Sequence, residues 1–256
     1  MTTRACVGAQ VRARGTIVSR AQGILAGTEM ACQVFLAADS ATECSVRAEE
    51  GEEVRPGEVV AVVEGCAQAL LAAERTALNF LQHLSGIATL TRRFVEAAGP
   101  NVRIMDTRKT MPGLRALEKA AVCVGGGHNH RMGLYDAVLI KDNHIALAGG
   151  IVQAVRAARG KCPPGAKIEV ETKTLEQVEQ ALQAGTDIIM LDNMGLDTMR
   201  AAVQMVAGRA QVEASGGVTL ENVQAIGGTG VDMISVGALT HSAPALDMSM
   251  ELEAVP

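Results

Sequence analysis

Ile188-Ile189-Met190-Leu191-Asp192 is a run of four apolar residues closed by a carboxylate, and variants of it recur along the second half of the chain. Lys167-Ile168-Glu169-Val170 runs into Glu171, Val102-Arg103-Ile104-Met105 into Asp106-Thr107-Arg108-Lys109, and Ala137-Val138-Leu139-Ile140 into Lys141. Val212-Glu213-Ala214 runs into Ser215-Gly216-Gly217, and Met233-Ile234-Ser235-Val236 into Gly237. Buried parallel strands read as brief, nearly continuous apolar runs. A barrel of parallel strands carries its chemistry at their carboxyl ends. The six runs therefore predict an α/β architecture, and the residues that close them predict the lining of a site.

Residues 175–184 and 199–207, between the runs, have helical periodicity and the length of crossover helices. Upstream, Ala69, Leu70, Ala73, Ala77, Leu78, Leu81, Leu84 and Ala88 recur at helical spacing. They predict one or two buried helices over 66–97, with Gly86 as the break. Residues 1–65 read as strand-rich: 10–18 alternate like a half-exposed antiparallel strand. Turns are expected at Gly51 and at Pro56-Gly57. The cadence of 49–65 is that of a biotinyl or lipoyl carrier hairpin, but no lysine lies in it, so a structural hairpin is expected. Residues 245–252 read as a last strand returning to the first domain's sheet. Gly227-Gly228 interrupts the helix expected before the final barrel strand, at about 1 kcal/mol per glycine relative to alanine.

A hydrophobic content of 48% over 256 residues supports a full core and excludes global disorder. With 2% aromatic residues and no Trp, stacking platforms for single-stranded nucleic acid are excluded. The net charge of -5 points to no polyanionic partner, and no nucleic acid is expected. The six cysteines are scattered without a CxxC pair and read as reduced thiols. The N-terminus has no apolar signal region, and no run approaches the roughly 20 residues of a membrane span. A cytoplasmic protein without a membrane partner is the expectation.

The charged residues are not spread evenly. Arg108 and Lys109 follow one run, Lys141 closes the next, and between them lies Gly125-Gly126-Gly127-His128-Asn129-His130-Arg131. A single Arg or Lys is ordinarily a solvated surface charge. Four cations converging at strand ends suit a small ligand with several carboxylates or phosphates. His130 is placed to donate to such an anion, while His144 and His241 read equally as structural. Glu171 and Asp192 would face the same mouth, able to hold Mg²⁺, bind ribose hydroxyls or stabilise developing positive charge. Asp106 reads equally as an anchor for its own turn. Ser215-Gly216-Gly217 and the loop at Gly237 suit a phosphate held by backbone N–H groups.

On these residues the sequence resembles the quinolinate phosphoribosyltransferases. The matching motifs are ERTALNFLQHLSGIATLTRRFV at 74–95, DTRKTMPGLRALEK at 106–119 and GGGHNHRMGLYDAVLIKDNHI at 125–145. They continue with IEVETKTLEQ at 168–177, IIMLDNM at 188–194, EASGGVTLENV at 213–223 and GVDMISVGALTHSAPALDMS at 230–249. The resemblance implies an N-terminal α/β sandwich domain over 1–98, with 242–256 returning to it. It implies a TIM-like open α/β barrel of six parallel strands over 99–241. It implies phosphoribosyl transfer from phosphoribosyl pyrophosphate to quinolinate with decarboxylation, giving nicotinate mononucleotide. Arg108, His130 and Arg131 then match binders of the pyridine dicarboxylate. Lys109 and Lys141 match lysines at the two substrate sites, and Glu171 and Asp192 the acidic pair near ribose and Mg²⁺. Ser215, Gly216 and Gly237 match the phosphate loops. Arg75 matches an arginine lent by the neighbouring subunit of a homodimer with shared active sites, a hexamer being the larger alternative. The rival readings are a related enzyme with another acceptor base and a Schiff-base lyase using Lys141.

Overall fold

The computed structural model describes residues 1–163 and 165–255, which fall into two compact units. In chain order the elements begin α1 (Thr2–Cys6), β1 (Arg12–Ser19), β2 (Gly23–Ile24), α2 (Thr28–Ala38), β3 (Glu43–Val46), β4 (Glu53–Val54), β5 (Val59–Cys66) and α3 (Ala67–Ala98). They continue β6 (Arg103–Met105), α4 (Arg115–Val124), β7 (Val138–Ile140), α5 (Asp142–Ala148), α6 (Ile151–Arg159), β8 (Ile168–Thr172) and α7 (Leu175–Gln183). The last are β9 (Ile188–Asp192), α8 (Leu196–Val206), β10 (Gln211–Ser215), α9 (Val223–Gly227), β11 (Met233–Ser235), α10 (Ala238–His241) and β12 (Met248–Val255).

The first unit gathers residues 1–92, 116–126 and 242–256. Its sheet is antiparallel in the order β12-β1-β5-β3. β1 alternates as its sequence does: Arg12 and Arg14 are exposed while Ala13 and Ile17 enter a core with Phe35, Val63, Leu70, Leu78 and Leu81. Residues 116–126 group with this unit, whereas the expected division at residue 98 left them in the barrel. Cys32 on α2 and Cys44 on β3 form a disulfide, with Cα atoms 5.8 Å apart. That corrects the expectation of six reduced thiols. The turn from α2 into β3 brings the pair within bridging distance, which a spacing of 12 residues does not announce. The other four cysteines keep their thiols.

Gly86 does not break a helix, because α3 runs unbroken through it. A Cβ there would lie 2.1 Å from the Pro244 carbonyl oxygen, so the glycine serves close approach of the returning C-terminal segment. Gly86→Ala is expected to destabilise the first unit by about 1–3 kcal/mol, the usual range for overpacking. A denaturant midpoint equal to that of the unsubstituted protein would refute this.

The second unit gathers residues 93–115 and 127–241. All six apolar runs are strands of one parallel sheet, in the order β6-β11-β10-β9-β8-β7. The first strand thus neighbours the last, as in a barrel, with β6 and β7 as the open margins. Period-2 geometry sorts the side chains. On β8, Ile168, Val170 and Thr172 are fully buried on one face, and Glu169 and Glu171 share the other. The helix before β11 is only the five-residue α9 and stops at the glycine pair. A Cβ on Gly227 would meet the Ala98 carbonyl at 3.1 Å, which accounts for that glycine by packing. No helix among the described residues is long and apolar enough to cross a membrane.

Candidate active site

The carboxyl ends of the barrel strands open on a cavity of about 580 Å³. Arg108, Lys109, His130, Arg131, Lys141, Glu171, Asp192, Ser215, Gly216 and Gly237 all line it. Arg75 is exposed on α3 in the first unit and is not among the lining residues.

The cationic side rests on firm supports. Asp106, fully buried, accepts the His130 N–H through Oδ1 at 2.8 Å, so it anchors the glycine-run segment. The Lys109 carbonyl accepts from Thr240 Oγ1 at 2.8 Å. Arg115 donates to Thr110 Oγ1, the Arg108 carbonyl and the Met132 carbonyl, tying together the two arginine-bearing segments. Arg108 Nε is buried with no hydrogen-bond partner. A guanidinium N–H left so is costly until an acceptor arrives. Arg131 donates to the Ala137 carbonyl at 3.3 Å. Burial, and after it the like charge of Arg108, hold its pKa below the usual arginine value. Both arginines therefore gain from an incoming anion.

Opposite them, Lys141 Nζ donates to Glu171 Oε2 at 2.6 Å. Asp192 accepts from the Asn193 amide at 2.9 Å. Asn193 has φ 54°, and its N–H donates to the Ser215 carbonyl at 2.8 Å. Gly216 has φ +95°, and a Cβ there would sit 2.3 Å from Asn193 Oδ1. The loops after β9 and β10 therefore interlock, and only glycine fits the second of them.

His130 lines the cavity and also has internal partners. Its Nδ1 accepts the Arg131 N–H at 2.8 Å, which puts the ring proton on Nε2, 3.0 Å from Glu169 Oε2. In the free protein, Nε2 is thus turned to Glu169. His144 is structural: its Nδ1 accepts the Lys141 N–H at the start of α5. His241 lines the cavity.

Asn193, Glu213 and Ser235 also line the cavity, and none was anticipated. The signal for Glu213, and for Glu169 behind it, was a charge inside an otherwise apolar strand, two residues before a strand-end residue. At that spacing both side chains take the face of the mouth residue.

Comparison with known proteins gives a consistent result. The N-terminal and C-terminal domain families of quinolinate phosphoribosyl transferase match residues 1–85 and 87–251. A probable nicotinate-nucleotide pyrophosphorylase (carboxylating) of Bacillus subtilis (strain 168) is 45% identical over 253 residues, spanning 98% of this chain and 87% of that protein. Its counterpart in Synechocystis sp. (strain ATCC 27184 / PCC 6803 / Kazusa) is 48% identical over 250 residues, spanning 96% and 85%. The crystal structure of NadC from Streptococcus pyogenes matches with a TM-score of 0.96 at 41% identity, over 100% of this chain and 91% of that one.

Proposed function

We infer the function from one settled premise: the chain belongs to the quinolinate phosphoribosyltransferase family. It is an enzyme of de novo NAD biosynthesis that transfers the phosphoribosyl group of phosphoribosyl pyrophosphate to quinolinate. The products are nicotinate mononucleotide, pyrophosphate and CO₂. The observation that carries this reading is the buried, unpartnered Arg108 Nε beside Arg131 in a cavity shared with Lys109 and Lys141. An acceptor with two carboxylates and a phosphorylated donor answer that charge.

In our reading, Arg108 and Arg131 clamp the pyridine dicarboxylate, with His130 fixing the segment that carries Arg131. Lys109 and Lys141 meet the phosphates, and the loops at Ser215, Gly216 and Gly237 hold the 5′-phosphate by backbone N–H groups. So oriented, the pyridine nitrogen attacks the anomeric carbon as the bond to pyrophosphate breaks. Glu171 and Asp192 face the positive charge that develops on the ribose. Their two carboxylates on one mouth also fit Mg²⁺ arriving with the donor, since that ion takes one or two carboxylates plus substrate phosphates. When bound, it neutralises the departing pyrophosphate. The positive pyridinium nitrogen then stabilises the electron pair that stays on the adjacent ring carbon as its carboxylate leaves as CO₂. Positioning and electrostatics therefore do most of the catalysis. We further propose a cytoplasmic homodimer in which Arg75 reaches the partner's site, consistent with its exposure and with the ERTALNF motif around it.

Incubation with quinolinate, phosphoribosyl pyrophosphate and Mg²⁺ is expected to give nicotinate mononucleotide, pyrophosphate and CO₂ in equal amounts. No turnover by folded protein, or a preference for nicotinate as acceptor, would count decisively against this reading.

A further inference from the structure

Beneath the mouth lies a second acidic layer. Glu169 stands two residues before Glu171 on β8, and Glu213 two before Ser215 on β10, each on the inward face. Both are buried, at 3% and 1% exposure, and the Oε1 atom of each has no hydrogen-bond partner. His130 Nε2 lies 3.0 Å from Glu169 Oε2 and 3.8 Å from Glu213 Oε2, and the three ligand-type atoms lie within 4.8 Å of one another. Two carboxylates this close in a buried layer repel one another when both are charged. Of the two, Glu213 reaches the cavity wall. Burial, and after it the Glu169 charge, push its pKa up to about 7. The groups facing it are Glu169 from β8, His130 from the glycine-run segment, Arg103 from β6 and Ser235 from β11.

The reaction leaves one proton unaccounted for. When CO₂ departs, the bonding pair stays on the ring carbon next to the pyridinium nitrogen, and that carbon must take up H⁺. At the mouth, Glu171 is already an acceptor for Lys141 and Asp192 for Asn193. We propose that Glu213, buried on the cavity wall beside His130, is the acid that protonates the ring carbon vacated by CO₂. The Glu213 O–H bond breaks, a C–H bond forms, and the carboxylate left behind recovers a proton from water before the next turnover. Arg103 offsets the transient charge. The proposal rests on reading the site as a decarboxylating phosphoribosyltransferase.

The test is single-turnover kinetics with quinolinate, following pyrophosphate release and nicotinate mononucleotide formation separately. Glu213→Gln keeps shape and removes the acid. The ratio of the second rate to the first is expected to fall on the order of 100-fold, the lower end of what a general acid contributes. In the unsubstituted protein, the same ratio is expected to drop about tenfold per pH unit above about 7, where the acid is lost. That measurement stands even if the variant fails to fold. An unchanged ratio in Glu213→Gln, or a flat profile, overturns the proposal. So does a fall of the ratio in Lys109→Met or Lys141→Met but not in Glu213→Gln, which would make a lysine the donor. An unsubstituted protein that releases no pyrophosphate from quinolinate overturns the functional reading and the proposal with it.

Discussion

Arg108→Ala is expected to lower kcat/KM for quinolinate on the order of 10³-fold, with most of the loss in KM. The reasoning starts from the free protein, in which Arg108 Nε is buried with no partner and Arg131 carries both a burial penalty and a like-charged neighbour. A dicarboxylate relieves both at once. Removing one partner of a buried charged contact costs about 2–5 kcal/mol, and each 1.4 kcal/mol or so is a factor of ten. The contact exists in the ground state as well as the transition state, so its loss shows chiefly as weakened binding. Arg108→Lys is expected to restore little, because an ammonium cannot make the two-pronged contact. The stability of the free protein should hold or rise, since the variant removes a repulsion. A KM for quinolinate within about threefold of normal would show that the clamp is elsewhere.

Glu171→Gln is expected to do the opposite to the kinetic constants. Here kcat should fall about 10²–10³-fold, the range seen when one electrostatic contact to transition-state charge is removed. KM for quinolinate should move little, because the side chain faces the ribose rather than the dicarboxylate. Glu171 is nearly buried and holds Lys141 at 2.6 Å, so the two act as a unit. The double variant with Lys141→Met is therefore expected to be far less impaired than the product of the single losses. A kcat unchanged in Glu171→Gln would place the charge stabilisation on Asp192 or on the metal ion.

The six strands were legible because buried parallel strands have a short apolar signature, and the residues closing them fell where barrel geometry puts chemistry. The cation cluster was legible for the same reason. Glu169 and Glu213 were not. They were read as members of apolar runs, although period 2 places each under a mouth residue. The hydrogen bonds of His130 to Arg131 and Glu169 were not legible, because a sequence shows the residue and not the direction of its ring. Gly86 was misread because a helical glycine can mark either a break or a close approach. Only the position of the Pro244 carbonyl decides between them. The Cys32–Cys44 bridge depends on a turn geometry that composition does not encode.

β1 sits between β12 and β5, with Arg12 opposite Val255 on one side and Cys66 on the other. During synthesis, β5 follows β1 with only β2, α2, β3 and β4 between them, but β12 emerges only after β6 to β11. Until then β1 is a bare sheet margin, with unpaired N–H and C=O groups open to any other strand. The nascent first unit must wait for almost the whole barrel to be translated before its sheet is complete. Pairing over so long a separation is intrinsically slow. The order of translation, rather than the final stability, therefore sets the interval in which this chain is most exposed to mispairing. Any cut near the C-terminus would be felt first at residues 12–19.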